Sequence, residues 1–228
     1  FKRGYRKQQG VAPLNEVLAA GMIMLSGWKG QSHFVDPMCG SGTLPIEAAL
    51  IALNIPPGLF REKYAFENWQ NFDADLFEEI SEEYELKDFD HQIMASDISK
   101  NSIKGAWENV KNAVLQKYIK LDIKPFDMVK PPPSPGLLIT NPPYGERLNR
   151  NSIQRIYSGL GDKLKKDFTG YEAWILSSSK EAFKYVGLKP EKKFTLYNGP
   201  LECKYQKYYL YQGTRKQKKR KRNTKTKT

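Results

Sequence analysis

The chain has little that would place it in a membrane, a disulfide scaffold or a metal centre. No apolar run approaches the ~20 residues needed to span a bilayer, and no secretory leader is visible. Met22 to Leu25 is apolar, but it belongs to an amphipathic helix expected over about Pro13–Ser26. Two cysteines in 228 residues predict a reducing, cytoplasmic setting. Cys39 and Cys203, with His33 and His91, offer no metal-ligand spacing, so no metal is expected. Acids are missing from Thr214–Thr228, which holds nine Lys/Arg and so supplies most of the formal net charge of +12. This segment also lacks an apolar side chain to bury, and its composition predicts a disordered tail. Such a tail adds salt-sensitive attraction to phosphates, which favours a nucleic-acid partner over a protein. The opposite bias marks residues 61–90, with eleven acids against three bases. Within them Asp75–Tyr84 has helical spacing, with Leu76, Phe77 and Ile80 on one face. This stretch is expected to face away from nucleic acid, as a structural cap over the ligand side of the domain.

What is present points to one enzyme core. Leu137-Leu138-Ile139-Thr140 reads as a buried strand, and Asn141-Pro142-Pro143-Tyr144 follows at its carboxyl end. That edge is where open α/β sheets bind ligands. An exocyclic amine on a planar base needs acceptors for its N–H groups, a stiff loop and a flat face. The Asn141 side-chain carbonyl and the next backbone carbonyl can accept both protons. Pro142 and Pro143 lock φ, and Tyr144 offers a stacking face. The plain alternative is a proline-rich turn.

A second motif sits on a second strand end. His33-Phe34-Val35-Asp36-Pro37-Met38-Cys39-Gly40-Ser41-Gly42-Thr43 runs from an apolar strand through a Gly-x-Gly turn into a helical pattern. The dinucleotide fingerprint is incomplete, because Pro45 occupies the place of its third glycine. A Gly-x-Gly turn headed by an acid suits a zwitterionic sulfonium ligand such as S-adenosylmethionine (SAM), with Asp36 facing the amino group. Ile93-Met94-Ala95-Ser96-Asp97 reads as the next strand, and Asp97 is positioned for two ribose hydroxyls. The candidate cofactor residues are therefore Asp36, Pro37, Cys39, Gly40, Ser41, Gly42, Thr43 and Asp97.

Strands are expected at about 33–36, 92–97, 118–123, 137–140, 173–177, 191–197 and 202–211, with helices at about 43–54, 99–115, 153–168 and 180–187. Strands alternating with helices predict an α/β fold with a mostly parallel, doubly wound sheet of seven strands. The short Tyr197–Pro200 connection can join only antiparallel neighbours, so the last strand should run against the others. The domain should occupy residues 1–213, with an acidic insertion at about 55–90 and the tail at 214–228.

Asp36–Thr43 and Asn141-Pro142-Pro143-Tyr144-Gly145-Glu146-Arg147-Leu148 resemble the SAM-binding and catalytic motifs of bacterial large-subunit ribosomal RNA guanine-N(2) methyltransferases. Lys2–Arg6, Ala12–Glu16 and Asn198–Cys203 also resemble that family, so the likeness spans residues 1–211. The resemblance implies a class I methyltransferase (Rossmann-like) fold, SAM as cofactor and rRNA as partner. It further implies an RNA-binding THUMP domain upstream, and Asn141, Pro142, Pro143 and Tyr144 as catalytic residues. Tyr144 and Arg147 are the candidate substrate contacts, and Lys2, Arg3, Arg6 and Lys7 are candidate phosphate contacts. The same tetrapeptide serves adenine 6-amino methyltransferases of DNA or RNA, which is the alternative. The family's acid near the adenine ring falls at Pro125, between Asp122 and Asp127, so that contact is unassigned.

Overall fold

The computed structural model describes residues 3–6, 14–144 and 149–211. Arg147, Lys2, Lys7 and the basic tail lie outside the described residues. The elements are α1 Glu16–Ser26, β1 His33–Asp36, α2 Thr43–Ala52, α3 Ala74–Glu82, β2 Ile93–Asp97, α4 Lys100–Asn112 and β3 Ile119–Ile123. They continue with β4 Gly136–Thr140, α5 Arg150–Asp167, β5 Tyr171–Ser177, α6 Ala182–Tyr185, β6 Lys192–Asn198 and β7 Leu201–Tyr209. Among the described residues no helix is long and apolar enough to cross a membrane.

All seven strands form one sheet in the order β3-β2-β1-β4-β5-β7-β6. β7 alone runs against the direction of the other six strands, and it lies between β5 and β6. Strand order reverses between β1 and β4, which opens a crevice at their carboxyl ends. The sheet is covered on both faces because its central strands are apolar on both. Phe34, Leu137, Ile139, Trp174 and Leu176 pack with α1 and α2 in one core cluster. Their neighbours Val35, Leu138, Ala173 and Ile175 pack with α5 in the other.

Local signals fix the ends of the helices. Asn15 caps α1 by accepting from the Leu18 amide at 3.1 Å, and Gly27 ends it at φ 80°. Ser99 caps α4 through the Ser102 amide at 3.2 Å. The helix expected at 180–187 shrinks to Ala182–Tyr185, since Gly187 turns left-handed at φ 63°. Tight helix packing leaves a mark at Gly161 of α5, where an added Cβ would lie 1.9 Å from the Val186 carbonyl oxygen. Gly161→Ala is expected to destabilise by about 2 kcal/mol or more, despite alanine's better helix propensity. Equilibrium denaturation checks this, and an unchanged or raised midpoint would refute the close packing.

The acidic insertion does not sit over the ligand edge along its full length. Its end packs at the opposite edge of the sheet. Phe89 lies against Trp28 with ring centroids 6.1 Å apart, and His91 meets His33 at the start of β1 at 5.1 Å. The Lys87 amide also donates to Leu53 O at the carboxyl end of α2 at 3.0 Å. Apolar contacts overrule the expected cap here: Phe89 finds Trp28, and the acids are carried out to solvent. The expected helix forms as α3, stabilised by Asp73, which accepts from the Leu76 amide at 3.0 Å.

Candidate active site

Three strand ends meet at one edge. β1 lies between β2 and β4, all parallel, so Asp36, Asp97 and Thr140 come out on the same side. The glycine turn after β1 is tied down to β2. The Cys39 amide donates to Ser96 O at 2.9 Å, and the Gly40 amide donates to Asp97 Oδ2 at 3.0 Å. Asp97 Oδ1 accepts from the Ser99 amide at 2.8 Å. Pro37 O accepts from Ser96 Oγ at 3.4 Å, and Ser41 O accepts from Asn109 Nδ2 at 3.0 Å. Gly40 and Gly42 are both left-handed, at φ 53° and 82°, yet they serve different ends. A Cβ on Gly42 would approach the Ala106 Cβ to 3.1 Å, so this glycine lets α4 close on the turn. A Cβ on Gly40 would meet nothing within 4 Å, which leaves the backbone there open to a ligand.

Asp36 is 1% exposed. Burial pushes its carboxyl up to about 7, against a countering hydrogen bond from the Met38 amide at 3.2 Å. The Thr140 hydroxyl beside it also favours the ionised form, though Thr140 Oγ1 closes no well-formed hydrogen bond among the described residues. The charge of Asp97 adds a smaller upward push. A buried carboxylate with too few donors is matched by a cationic ligand group. Burial, then the same two acids, raise the Cys39 thiol well above its ordinary value. A thiol raised in this way stays protonated and unreactive, and Cys39 packs with Ala95 and Ile103.

The acceptor loop follows Thr140. Asn141 Oδ1 is buried and has no hydrogen-bond partner among the described residues. An unpaired buried carbonyl costs about 1–3 kcal/mol, so this atom calls for a donor from outside the described chain. Pro142 is buried, Pro143 exposed and Tyr144 half-buried. The Tyr144 hydroxyl lies 3.9 Å from Cys203 Sγ on β7. Burial, then Cys203, raise the Tyr144 phenol against a countering hydrogen bond with the Asn141 side chain, so it stays protonated and is no general base, while Asn141 Oδ1 itself stays unpartnered.

Two expected phosphate contacts are engaged elsewhere. Arg3 pairs with Glu47 of α2 through Nε at 3.2 Å and a terminal nitrogen at 3.1 Å. Arg6 lies 3.3 Å from Glu16 and donates to Thr43 Oγ1 at 2.6 Å and Leu14 O at 2.9 Å. These cations neutralise buried acids and brace the start of α2. Local sequence pattern does not mark Glu47 and Cys203 as partners of the site. A lone acid in the apolar helix Thr43–Ala52 was the available signal for a buried partner. For the adenine side, the Lys124 amide donates to Asp97 O at 3.0 Å, which brings the loop after β3 beside the tip of β2. Asp122 meets Lys124 at 3.5 Å.

A family model described as "RMKL-like, methyltransferase domain" matches residues 3–207. A protein of Shewanella baltica (strain OS155) named ribosomal RNA large subunit methyltransferase K/L is 41% identical over 218 residues, covering 92% of this chain and 31% of that protein. The protein of the same name from Shewanella oneidensis is 42% identical over 224 residues, covering 94% and 32%. The chain thus spans about a third of the length of these curated relatives. Among solved structures, SMU.472, assigned as a methyltransferase and complexed with SAH, has a TM-score of 0.86 at 34% identity, covering 93% of this chain and 56% of that one. A predicted N6-adenine-specific DNA methylase from Listeria monocytogenes has a TM-score of 0.83 at 32% identity, covering 92% and 55%.

Proposed function

The chain belongs to the RMKL-like methyltransferase domain family and has the class I methyltransferase fold; from that premise we propose that it uses SAM to methylate the exocyclic 2-amino group of a guanine in large-subunit rRNA. SAM supplies a methyl group already activated on a sulfonium, so the protein's work is mainly proximity and orientation. Asp36 faces the amino group of the methionine moiety. Asp97 turns its remaining lone pairs to the ribose hydroxyls, since each oxygen accepts only one amide among the described residues. The open backbone at Gly40 lies along the donor.

At the acceptor side, Asn141 Oδ1 and the Pro142 carbonyl accept the two amine protons. This draws the nitrogen lone pair out of conjugation and aims it at the methyl. Tyr144 stacks on the base, which leaves its duplex or loop partners to enter the site. Once the nitrogen carries positive charge its proton is acidic and passes to water, so no strong base is needed. Arg147 is proposed to contact the substrate. The THUMP domain upstream and the basic tail are proposed to add affinity for the RNA, in the cytoplasm.

The observation that carries this reading is the unpartnered Asn141 carbonyl at the strand end beside the glycine turn. The names of the curated relatives support rRNA as the acceptor. The name of the Listeria protein favours a second reading, an adenine 6-amino acceptor. Incubation with methyl-labelled SAM and separate pools of rRNA and DNA, then digestion to nucleosides, separates the two. Label in 2-methylguanosine from rRNA is expected. Label confined to 6-methyladenine would overturn the guanine assignment.

A further inference from the structure

The β6–β7 hairpin is a part of the catalytic edge with no role in the mechanism above. Lys204 of β7 pairs with Ser177, the last residue of β5, so Leu201, Glu202 and Cys203 extend past the end of that strand. The extension stands beside the acceptor loop, where Cys203 reaches Tyr144. Alternation gives the hairpin two faces. Phe194, Leu196, Cys203 and Tyr205 turn toward α1 and the core. Lys193, Thr195 and Tyr197 turn the other way and are exposed, with Tyr197 61% accessible. Register places Lys204 opposite Thr195 and Glu202 opposite Tyr197 on this outer face. α6 is one turn long, and its buried Ala182 belongs to the core cluster that holds Ala173 and Ile175 of β5.

Contacts tie Lys180 to the charges on this face, and a second exposed pair lies next to it in sequence. Arg150, just after the acceptor loop, lies 3.4 Å from Glu181. Lys180 lies 3.6 Å from Glu202, and Lys204 lies 3.0 Å from the same carboxylate and donates to Thr195 Oγ1 at 2.7 Å. With Lys193, three cations stand at this face against the one carboxylate of Glu202. Exposed ion pairs of this kind are worth little, so their cations exchange readily to phosphates. A flat, exposed aromatic ring among cations is what single-stranded nucleic acid requires, because bases stack while phosphates are neutralised.

We propose that this outer face of the β6–β7 hairpin carries the single-stranded RNA flanking the methylated base, with Tyr197 stacking on a neighbouring base and Lys180, Lys193 and Lys204 meeting phosphates. The proposal rests on the RNA reading above and adds where the acceptor strand runs. An acidic protein segment would meet the cations but leave the Tyr197 ring unused.

The test is binding of a fluorescent single-stranded rRNA fragment across a salt series, alongside steady-state methyl transfer. Lys180→Gln combined with Lys193→Gln should weaken RNA binding about tenfold and flatten the log–log salt slope by about 1.4, near 0.7 per lost phosphate contact on a single strand. Tyr197→Ala should weaken binding about tenfold with little change in slope, and Tyr197→Phe should restore it. Melting temperature and SAH affinity should hold, because all three side chains are exposed or remote from the glycine turn. RNA affinity, slope and KM equal to wild type in every variant would overturn the proposal and leave the acceptor reading intact. So would variants that lose affinity for a polyglutamate peptide but keep it for RNA. If wild type transfers no methyl to RNA while these variants still bind RNA more weakly, the acceptor reading fails and this face stands.

Discussion

Asn141→Ala should lower kcat by about 100- to 1,000-fold while SAH affinity stays within a few-fold of wild type. The magnitude is that of removing one pre-aimed polar group from a site where charge develops in the transition state. The direction follows from where Asn141 sits. It lies at the end of β4, while the glycine turn, Asp36 and Asp97 proposed to hold the donor lie at the ends of β1 and β2. Its Oδ1 accepts no bond among the described residues, so the one side-chain interaction that truncation removes there is the hydrogen bond with the Tyr144 phenol. Stability should therefore hold or rise slightly, as an unpaired buried carbonyl is lost. Single-turnover transfer isolates the methyl step, and calorimetry with SAH reads the donor site. Loss of SAH binding equal to the loss of rate would mean that Asn141 belongs to the donor pocket. Asn141→Asp is the sharper companion. It keeps an acceptor but lowers the barrier less, because a buried carboxylate at this edge repels Asp36 and takes up a proton.

Both motifs were legible in the sequence because each sits where a strand pattern stops. Thr140 ends an apolar run and Asp36 ends another, and each is followed by residues that break regular structure. The antiparallel β7 was legible for a similar reason: Asn198 to Leu201 leaves room only for a hairpin, and Gly199 supplies its φ of 63°. What composition and spacing did not reveal are contacts between distant segments. Gly40 meets Asp97, and Tyr144 meets Cys203, across more than fifty residues each. Such pairs depend on which strands become neighbours, and local pattern carries no register between them. Arg3 and Arg6 show the same limit from the other side. As charges near an amino terminus they look solvated, but Glu47 and Glu16 are buried and claim them. The seat of the insertion was decided by Phe89 and Trp28, whose pairing no local period announces.

Asp36→Asn should make the ligand-free protein more stable and the donor site weaker, and both effects should depend on pH. In the unfolded chain the carboxyl titrates near 3.8, and in the folded chain near 7. Below 3.8 both states are protonated and burial of the neutral acid carries no penalty. As pH rises toward 7 the unfolded state releases its proton first, so this favourable term is progressively lost. Above 7 the full difference applies, on the order of 4 kcal/mol at about 1.4 kcal/mol per pH unit. Asparagine does not titrate, keeps an acceptor for the Met38 amide and avoids the buried charge. The melting-temperature advantage of Asp36→Asn should therefore be small at pH 4, grow through pH 6 and level off above 7. A pH-independent difference would show that Asp36 is not held protonated. Ligand binding runs the other way. A methionine ammonium beside Asp36 favours the ionised carboxyl, so wild type should release a proton on binding SAH at pH 6 and bind more tightly as pH rises to 7.5. Asp36→Asn should release none and bind about tenfold or more weakly at pH 7.5, since half of a buried charge pair is gone. Calorimetry in two buffers of different ionisation enthalpy reads the proton directly. Equal SAH affinity in both proteins would remove Asp36 from the donor site and leave its burial without a functional reason; a stability gain paired with lost affinity would mark it as a residue kept at a cost to the fold for the ligand it holds.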